Sequence, residues 1–140
     1  MDYAYFLTPF LTWLVVGPIK FLINSARQRR WAFNLVGNGG FPSNHSSVVT
    51  SMATLIALRE GLQHPAFGVA VTLAFIVMID ANSLRQHVGR QAGAINRLGG
   101  SAADHTHLRE RMGHTLVEIG GGICTGIAMG FLLYTVYGSF

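Results

Sequence analysis

The 140-residue sequence contains few charged side chains and a single cysteine. Asp, Glu, Lys and Arg make up 11% of the residues, whereas about a quarter is usual in soluble domains. This is too little charge to cover a surface in contact with water, so the composition points to a membrane protein. The one cysteine, Cys124, lies in an apolar run. A disulfide-stabilised scaffold and a zinc site built from cysteines are therefore excluded.

Hydrophobic residues make up half of the sequence and concentrate in four segments, residues 4–24, 46–62, 66–79 and 115–137. A helix needs about 20 apolar residues to cross a bilayer. We therefore expect an all-α integral membrane helical bundle with about four transmembrane helices, forming one domain over residues 1–140. The polar stretches 25–44 and 85–113 show no clear periodicity, and we expect them to form two loops.

Small residues recur at every fourth position in the last apolar segment, at Gly122, Gly126 and Gly130. Such a stripe lets helix backbones approach closely in lipid. It indicates helix packing, either within the chain or between two chains. The second case would make the protein a homodimer.

Basic residues outnumber acidic ones, and the formal net charge is +4. Eight of the ten basic residues lie in the two polar stretches: Arg27, Arg29, Arg30, Arg85, Arg90, Arg97, Arg109 and Arg111. The positive-inside rule places basic loops of this kind in the cytoplasm. We therefore expect both loops on the cytoplasmic face of a bacterial inner membrane, or of an organellar equivalent, and we expect no nucleic-acid partner.

Several polar side chains lie near the ends of apolar segments that this topology brings to one face: Lys20, Arg27, Ser43, Asn44, His45, Asp80, Arg85, His114 and Glu118. Some of them also have a purely structural interpretation. Ser43 can cap a helix, and His114 and Glu118 can satisfy each other on one helix face. A glutamate in the first turn of a membrane helix is nevertheless costly, which favours a functional role for Glu118.

Together these side chains suit phosphoryl transfer. The reaction needs cations around the phosphate oxygens, a nucleophile in line with the leaving oxygen and a proton donor for that oxygen. Lys20, Arg27 and Arg85 supply cations, and a helix starting after Ser43 would offer free backbone N–H groups. Two histidines, one neutral and one protonated, can act as nucleophile and acid. The sequence has no carboxylate cluster for a metal, so we expect neither a metal nor another cofactor.

The same residues resemble three motifs of the type 2 phosphatidic acid phosphatase superfamily, K-x6-R-P, P-S-G-H and S-R-x5-H-x3-D. The matching segments are 20–28, 42–45, 83–85 and 114–118. Three positions differ, because Gln28 replaces the proline, Asn44 the glycine and Glu118 the aspartate. In addition, Leu84 separates Ser83 from Arg85, which are adjacent in the motif. The spacer before His114 is also much longer than five residues.

These departures are similar to those of a divergent branch of small membrane proteins in that superfamily. In that branch the segments G-G-x-P-S-x-H, D-A-x-x-x-R and G-H-T-x-x-E recur. Residues 39–45, 80–85 and 113–118 match all three in order. The resemblance extends over roughly residues 20–130, nearly the whole chain.

The resemblance implies a role for each candidate residue. His114 would be the nucleophile, Glu118 would orient it, and His45 would be the general acid. The phosphate would be held by Lys20, Arg27, the Ser43 hydroxyl, the Asn44 backbone N–H and Arg85. Asp80 would support Arg85. Whether Arg27, Arg29 or Arg30 fills the role of the first-motif arginine stays open.

The resemblance also implies an enzyme that hydrolyses a membrane lipid phosphate monoester without a metal, through a phosphohistidine. A cytoplasmic site favours a lipid made on that side, such as phosphatidylglycerophosphate. Two alternatives stay open: a protein that binds or transports lipid phosphates without hydrolysing them, and an undecaprenyl pyrophosphate phosphatase. In each case the partners are the lipid phosphate and the surrounding membrane lipids.

Overall fold

The computed structural model describes residues 3–29, 40–99 and 106–137. Regular structure in these ranges is helical throughout, with α1 at Ala4–Gln28, α2 at Asn44–Glu60, α3 at Pro65–Ile79, α4 at Arg85–Gly99 and α5 at Leu116–Tyr137. A π-helical turn, Asp80–Leu84, joins α3 to α4, so that Pro65–Gly99 is one helix of 35 residues. The predicted all-α class is therefore confirmed for the described part of the chain.

Three of the described helices are long and apolar enough to cross a membrane: α1, the continuous helix Pro65–Gly99, and α5. The fourth predicted span is present as α2, but it has only 17 residues and several serines. It does not qualify as a span by length and hydropathy. The expectation of about four transmembrane helices is thus confirmed for three segments.

The second polar stretch was expected to be a loop, and for residues 85–99 that prediction is wrong. Helix α4 occupies these residues. Gly89 and Gly93 allow residues 106–112 to lie directly against the helix, since a Cβ at Gly93 would come within 3.2 Å of the Glu110 carboxylate. The helix is therefore supported by a contact with a later segment. In the first polar stretch the predicted loop is wrong for residues 25–28, which belong to α1, and residues 30–39 lie outside the described residues.

Helix α2 packs against α1, α3 and α5. Its serines at positions 46, 47 and 51 are fully buried, and their hydroxyl groups have partners. The Thr12 hydroxyl donates a hydrogen bond to Ser51 Oγ (2.8 Å), and the Ser47 hydroxyl donates to the Ser43 carbonyl (2.9 Å). A buried polar group costs little once it is hydrogen-bonded. The surrounding helices can therefore enclose a helix that lipid would not accommodate.

The glycine stripe of α5 packs against this same polar helix. A Cβ at Gly122 would lie 2.6 Å from the Ser43 carbonyl oxygen, and one at Gly126 would lie 2.6 Å from the Ser47 carbonyl oxygen. The stripe therefore serves packing within the chain. A homodimer would have to use another surface.

Helix α1 carries its buried residues at every fourth position: Ala4, Thr8, Thr12, Val16, Lys20 and Asn24. Residues four apart lie on one helix face. This face is apolar or weakly polar for most of its length and ends in Lys20 and Asn24. The bundle therefore receives a buried lysine at the end where α1 finishes.

We predict that Gly126→Ala lowers the free energy of unfolding by about 1–3 kcal/mol, because the added methyl group overpacks the contact with α2. The measurement is thermal or chemical unfolding in detergent. Gly120→Ala is the matched control, since it lies in the same helix and a Cβ there would meet no atom within 4 Å. Equal losses for both variants would show that the α2–α5 contact is looser than the structure indicates.

Candidate active site

The first turn of α5 is closed by a capping box. The Glu118 backbone N–H donates to Thr115 Oγ1 (3.2 Å), and the Thr115 backbone N–H donates to Glu118 Oε2 (3.1 Å). This reciprocal pair satisfies two backbone N–H groups that a helix start leaves without partners. It fixes the position of the Glu118 carboxylate, whose environment also includes the backbone N–H of Gly40.

The same carboxylate oxygen holds the imidazole of His114. Nδ1 of His114 lies 2.9 Å from Glu118 Oε2, and the His114 residue is only 4% exposed. An ionised carboxylate can only accept hydrogen bonds, so Nδ1 carries the proton. The neutral ring then has its lone pair on Nε2, the nitrogen that can act as a nucleophile.

Backbone hydrogen bonds join three elements around His114. Its N–H donates to the Ala81 carbonyl in the π-helical turn (2.8 Å), and the Ser43 N–H donates to the Glu118 carbonyl (2.9 Å). Gln86 Nε2 also donates to the His114 carbonyl (3.3 Å). The start of α2, the start of α5 and the junction between α3 and α4 therefore meet at one point.

The ring of His45, in the first turn of α2, faces the ring of His114. The two centroids are 5.7 Å apart with an interplanar angle of 64°. Among the residues that the structure describes, His45 Nδ1 and Asn44 Oδ1 are buried side-chain atoms without a hydrogen-bond partner. A buried polar atom left in this way costs about 1–3 kcal/mol. A native protein usually leaves a buried polar atom without a protein partner only where a ligand or a water molecule binds to it.

Two cations act on this pair of histidines. The charges of Lys20 and Arg85 influence both rings, and Asp80 also influences His45. Lys20 is only 9% exposed, whereas Arg85 is partly exposed and its Nε lies 3.3 Å from Asp80 Oδ2. The structure thus brings Lys20, Arg85 and Asp80 to the histidines.

Arg27 and Ser43 are placed differently from the other candidates. The Arg27 guanidinium stacks on the Phe41 ring, 5.1 Å from its centroid. Ser43 is fully buried and caps α2, because its Oγ accepts from the Ser46 backbone N–H (3.4 Å). The structural role considered for Ser43 is therefore present.

Arg29 ends α1 with a left-handed backbone conformation, and Arg30 lies outside the described residues.

Burial lowers the pKa of His114. The hydrogen bond that His114 donates to Glu118 opposes this effect, and the positive charges of Lys20 and Arg85 add to it. The net direction is downward, so the ring is neutral at neutral pH. A neutral imidazole is the form required of a nucleophile.

Two parts of the site were missed in the sequence. One is the capping box, although Thr115-x-x-Glu118 is a recognisable signal for it. The other is Gly40, whose φ of +121° favours glycine and whose missing Cβ leaves room for the Asn24 side chain. The contact between Gly40 and Asn24 joins segments far apart in sequence, so a local sequence pattern does not predict it.

The sequence matches the divergent PAP2 family over residues 1–129. The chain belongs to this family. It is also 33% identical, over 132 aligned residues, to the uncharacterized membrane protein YuiD of Bacillus subtilis (strain 168). That alignment covers 83% of this chain and 82% of YuiD. No solved structure matches the chain.

Membership in the divergent PAP2 family confirms the resemblance inferred from the three motifs. It makes a phosphatase-related function the coarse expectation. The family match and the membrane character of YuiD also agree with the apolar helices of this protein. The roles of individual residues in this divergent PAP2 protein have to be argued from the geometry.

We predict that the pKa of His114 lies below the ordinary histidine value and that Glu118→Gln lowers it further. The carboxylate favours the protonated ring, so its removal leaves burial and the two cations unopposed. The measurement is an NMR titration of ¹⁵N-labelled histidine in detergent, with the His114 signal assigned by its loss in His114→Ala. A rise in the pKa of His114 in Glu118→Gln would contradict the pairing of these two residues.

Proposed function

We propose that this protein hydrolyses a phosphate monoester of a membrane lipid, without a metal and through a phosphohistidine intermediate. One observation carries the proposal. The His114–Glu118 pair faces His45 at a point influenced by Lys20 and Arg85. This arrangement supplies a nucleophile, an acid and positive charge for a phosphoryl group, which are the requirements of the reaction.

In the first step, Nε2 of His114 attacks the phosphorus atom and forms an N–P bond. The bond between phosphorus and the lipid oxygen breaks, and protonated His45 donates its proton to that oxygen. Burial and the charge of Arg85 lower the pKa of His45. A bound phosphate dianion opposes both effects, so the substrate itself favours the protonated acid.

In the second step, water attacks the phosphohistidine. His45, now neutral, accepts a proton from the water, the N–P bond breaks and inorganic phosphate leaves. Glu118 stabilises the positive charge that the His114 ring carries while phosphorylated. Both histidines return to their starting protonation states.

Lys20 and Arg85 balance the negative charge of the phosphate oxygens in this proposal. Arg85 offers a planar group with several donors, and Asp80 limits its movement through the 3.3 Å ion pair. Further donors are the free backbone N–H groups at the start of α2, which include that of Asn44. Arg27 and the Ser43 hydroxyl are weaker candidates, because both already have a partner within the protein.

An apolar groove supports a lipid substrate. It has a volume of about 400 Å³, with α2 as its floor and α3 and α5 as its sides. Its lining is almost entirely apolar and includes Ala53, Ala57, Phe67, Val71 and Phe131. With a rise of 1.5 Å per residue, the groove starts about 8 Å along α2 from His45, near Thr50. An acyl chain in the groove would extend away from a phosphate held at His45.

The distribution of basic residues supports a site on the cytoplasmic face. The proposed phosphate site lies where α1 ends and α2 begins, and α1 ends with Arg27 in its last turn and Arg29 as its C-cap. A lipid phosphate made in the cytoplasmic leaflet, such as phosphatidylglycerophosphate, is the substrate we propose first.

We predict that purified protein releases phosphate from a lipid phosphate in the presence of EDTA, and that vanadate inhibits it. His114→Ala should abolish turnover and phosphoenzyme for every substrate. His45→Ala should lose about a hundred- to ten-thousandfold in rate on a lipid. With an aryl phosphate whose leaving group needs no proton, it should still form an acid-labile, alkali-stable phosphoenzyme, which then accumulates.

Three outcomes would contradict this mechanism. Phosphate label on His45 would mean that His45 is the nucleophile and His114 the acid. A strict requirement for added magnesium would show that the reaction depends on a metal. Lipid binding without phosphate release, even in a single turnover, would favour a non-enzymatic protein. Arg85→Lys is a further control, since it keeps the charge but loses the planar group and should lose much of the activity.

We predict that Ala57→Trp, which fills the groove, lowers kcat/KM about tenfold or more for a long-chain lipid phosphate, equivalent to about 1.4 kcal/mol. The same variant should leave hydrolysis of a short-chain, water-soluble phosphate unchanged, because the phosphate site is untouched. Ala128→Trp, an exposed position of α5 outside the groove lining, is the matched control. If Ala57→Trp lowered kcat/KM equally for the long-chain and the short-chain substrate, the groove would not be the binding site of the acyl chain.

A further inference from the structure

The continuous helix Pro65–Gly99 is longer than a bilayer core. Its 35 residues span about 52 Å at 1.5 Å per residue, whereas the hydrocarbon core is about 30 Å thick. About 15 residues therefore extend beyond the core. The polar end of the helix is α4, so α4 is the part that projects from the membrane, on the side of the active site.

Helix α4 has one covered side and one exposed side. The covered side contains Gly89, Ala92 and Gly93, which are buried. There the segment 106–112 lies against the helix, and Asn96 Nδ2 donates a hydrogen bond to the Leu108 carbonyl (2.7 Å). The other side exposes three large apolar residues, Val88 (40%), Ile95 (48%) and Leu98 (88%), and Leu84 (59%), the last residue of the preceding π-helical turn, is exposed as well.

The exposed apolar residues follow a heptad pattern. Together with Gln91, which is also exposed, they are spaced by four, three, four and three residues. Val88 and Ile95 then occupy a positions, and Leu84, Gln91 and Leu98 occupy d positions. β-Branched residues at a with leucine at d favour two parallel helices in a coiled coil.

We propose that α4 pairs with α4 of a second copy of this chain, in a parallel two-stranded coiled coil just outside the membrane. Two copies inserted in one membrane share their orientation, so their α4 helices run in the same direction. The heptad pattern, with β-branched residues at the a positions and leucine at d positions, favours the same parallel arrangement. The proposal does not depend on the catalytic activity.

The charges on α4 are compatible with this pairing. Arg90 and Arg97 occupy c positions, on the side away from the a and d residues. Two copies can therefore approach without bringing these arginines together. Arg85 lies beside Leu84, at an e position, and its charge is balanced by Asp80 of its own chain. Ala94, which flanks the middle of the pattern on one side, is small enough for close approach, whereas Ala92 on the other side is already buried within the chain.

The test is disulfide cross-linking in membranes, in a Cys124→Ser background because Cys124 is exposed. Leu98→Cys should give a cross-linked dimer, since d residues of paired helices face each other. Arg97→Cys is the matched control at the neighbouring c position. We expect it to cross-link about tenfold less, because a disulfide needs Cβ atoms within about 4.5 Å of each other.

A second variant separates pairing from accidental collision. Ile95→Asp places a charge at an a position and should reduce cross-linking through Leu98→Cys about tenfold. The variant should still fold as a single chain, because Ile95 is half exposed there. Equal cross-linking at positions 97 and 98, or no dimer in folded Leu98→Cys protein, would overturn the proposal. The second result would mean that lipid or the chain itself covers the apolar side of α4.

Discussion

The close contact between α2 and α5 is the constraint on which the rest of this structure depends. Helix α2 carries buried serines and is too polar to face lipid, so other helices must enclose it. The glycines of α5 allow its backbone to approach α2 closely enough for this. The same contact aligns the two helix starts, so that the Ser43 N–H reaches the Glu118 carbonyl. The facing arrangement of His45 and His114 follows from this alignment.

Glu118 links the folding of α5 to the chemistry of the site. Its carboxylate closes the capping box with Thr115 and holds His114 through the same oxygen. Because the helix start already fixes that oxygen, the imidazole is oriented before any substrate binds. Preorganised groups of this kind lose little entropy in a reaction. The structural and the functional interpretation of Glu118 are therefore compatible.

Much of the helical structure could be predicted from the sequence. The segments 66–79 and 115–137 agree with Pro65–Ile79 and Leu116–Tyr137 to within one residue at each end. Helix α4 was missed, because its few apolar residues stand in a mostly polar segment and its support comes from residues 106–112. Among the candidate site residues, Lys20 was found at a helix end, but its burial depends on the four-residue stripe of α1. Arg27 was grouped with the phosphate ligands, whereas its observed partner is Phe41.

The sequence by itself determined that this is an all-α membrane protein whose polar residues gather at the ends of apolar segments. These properties follow from composition and from local periodicity, which act within one helix. Only the tertiary structure decided that the glycine stripe packs on α2, that Ala81 accepts a hydrogen bond from His114, and that Lys20 lies near both histidines. Each of these contacts joins segments far apart in the chain. The sequence pattern of a helix shows which face carries small or polar residues. The segment that packs on that face depends on how the helices pack together.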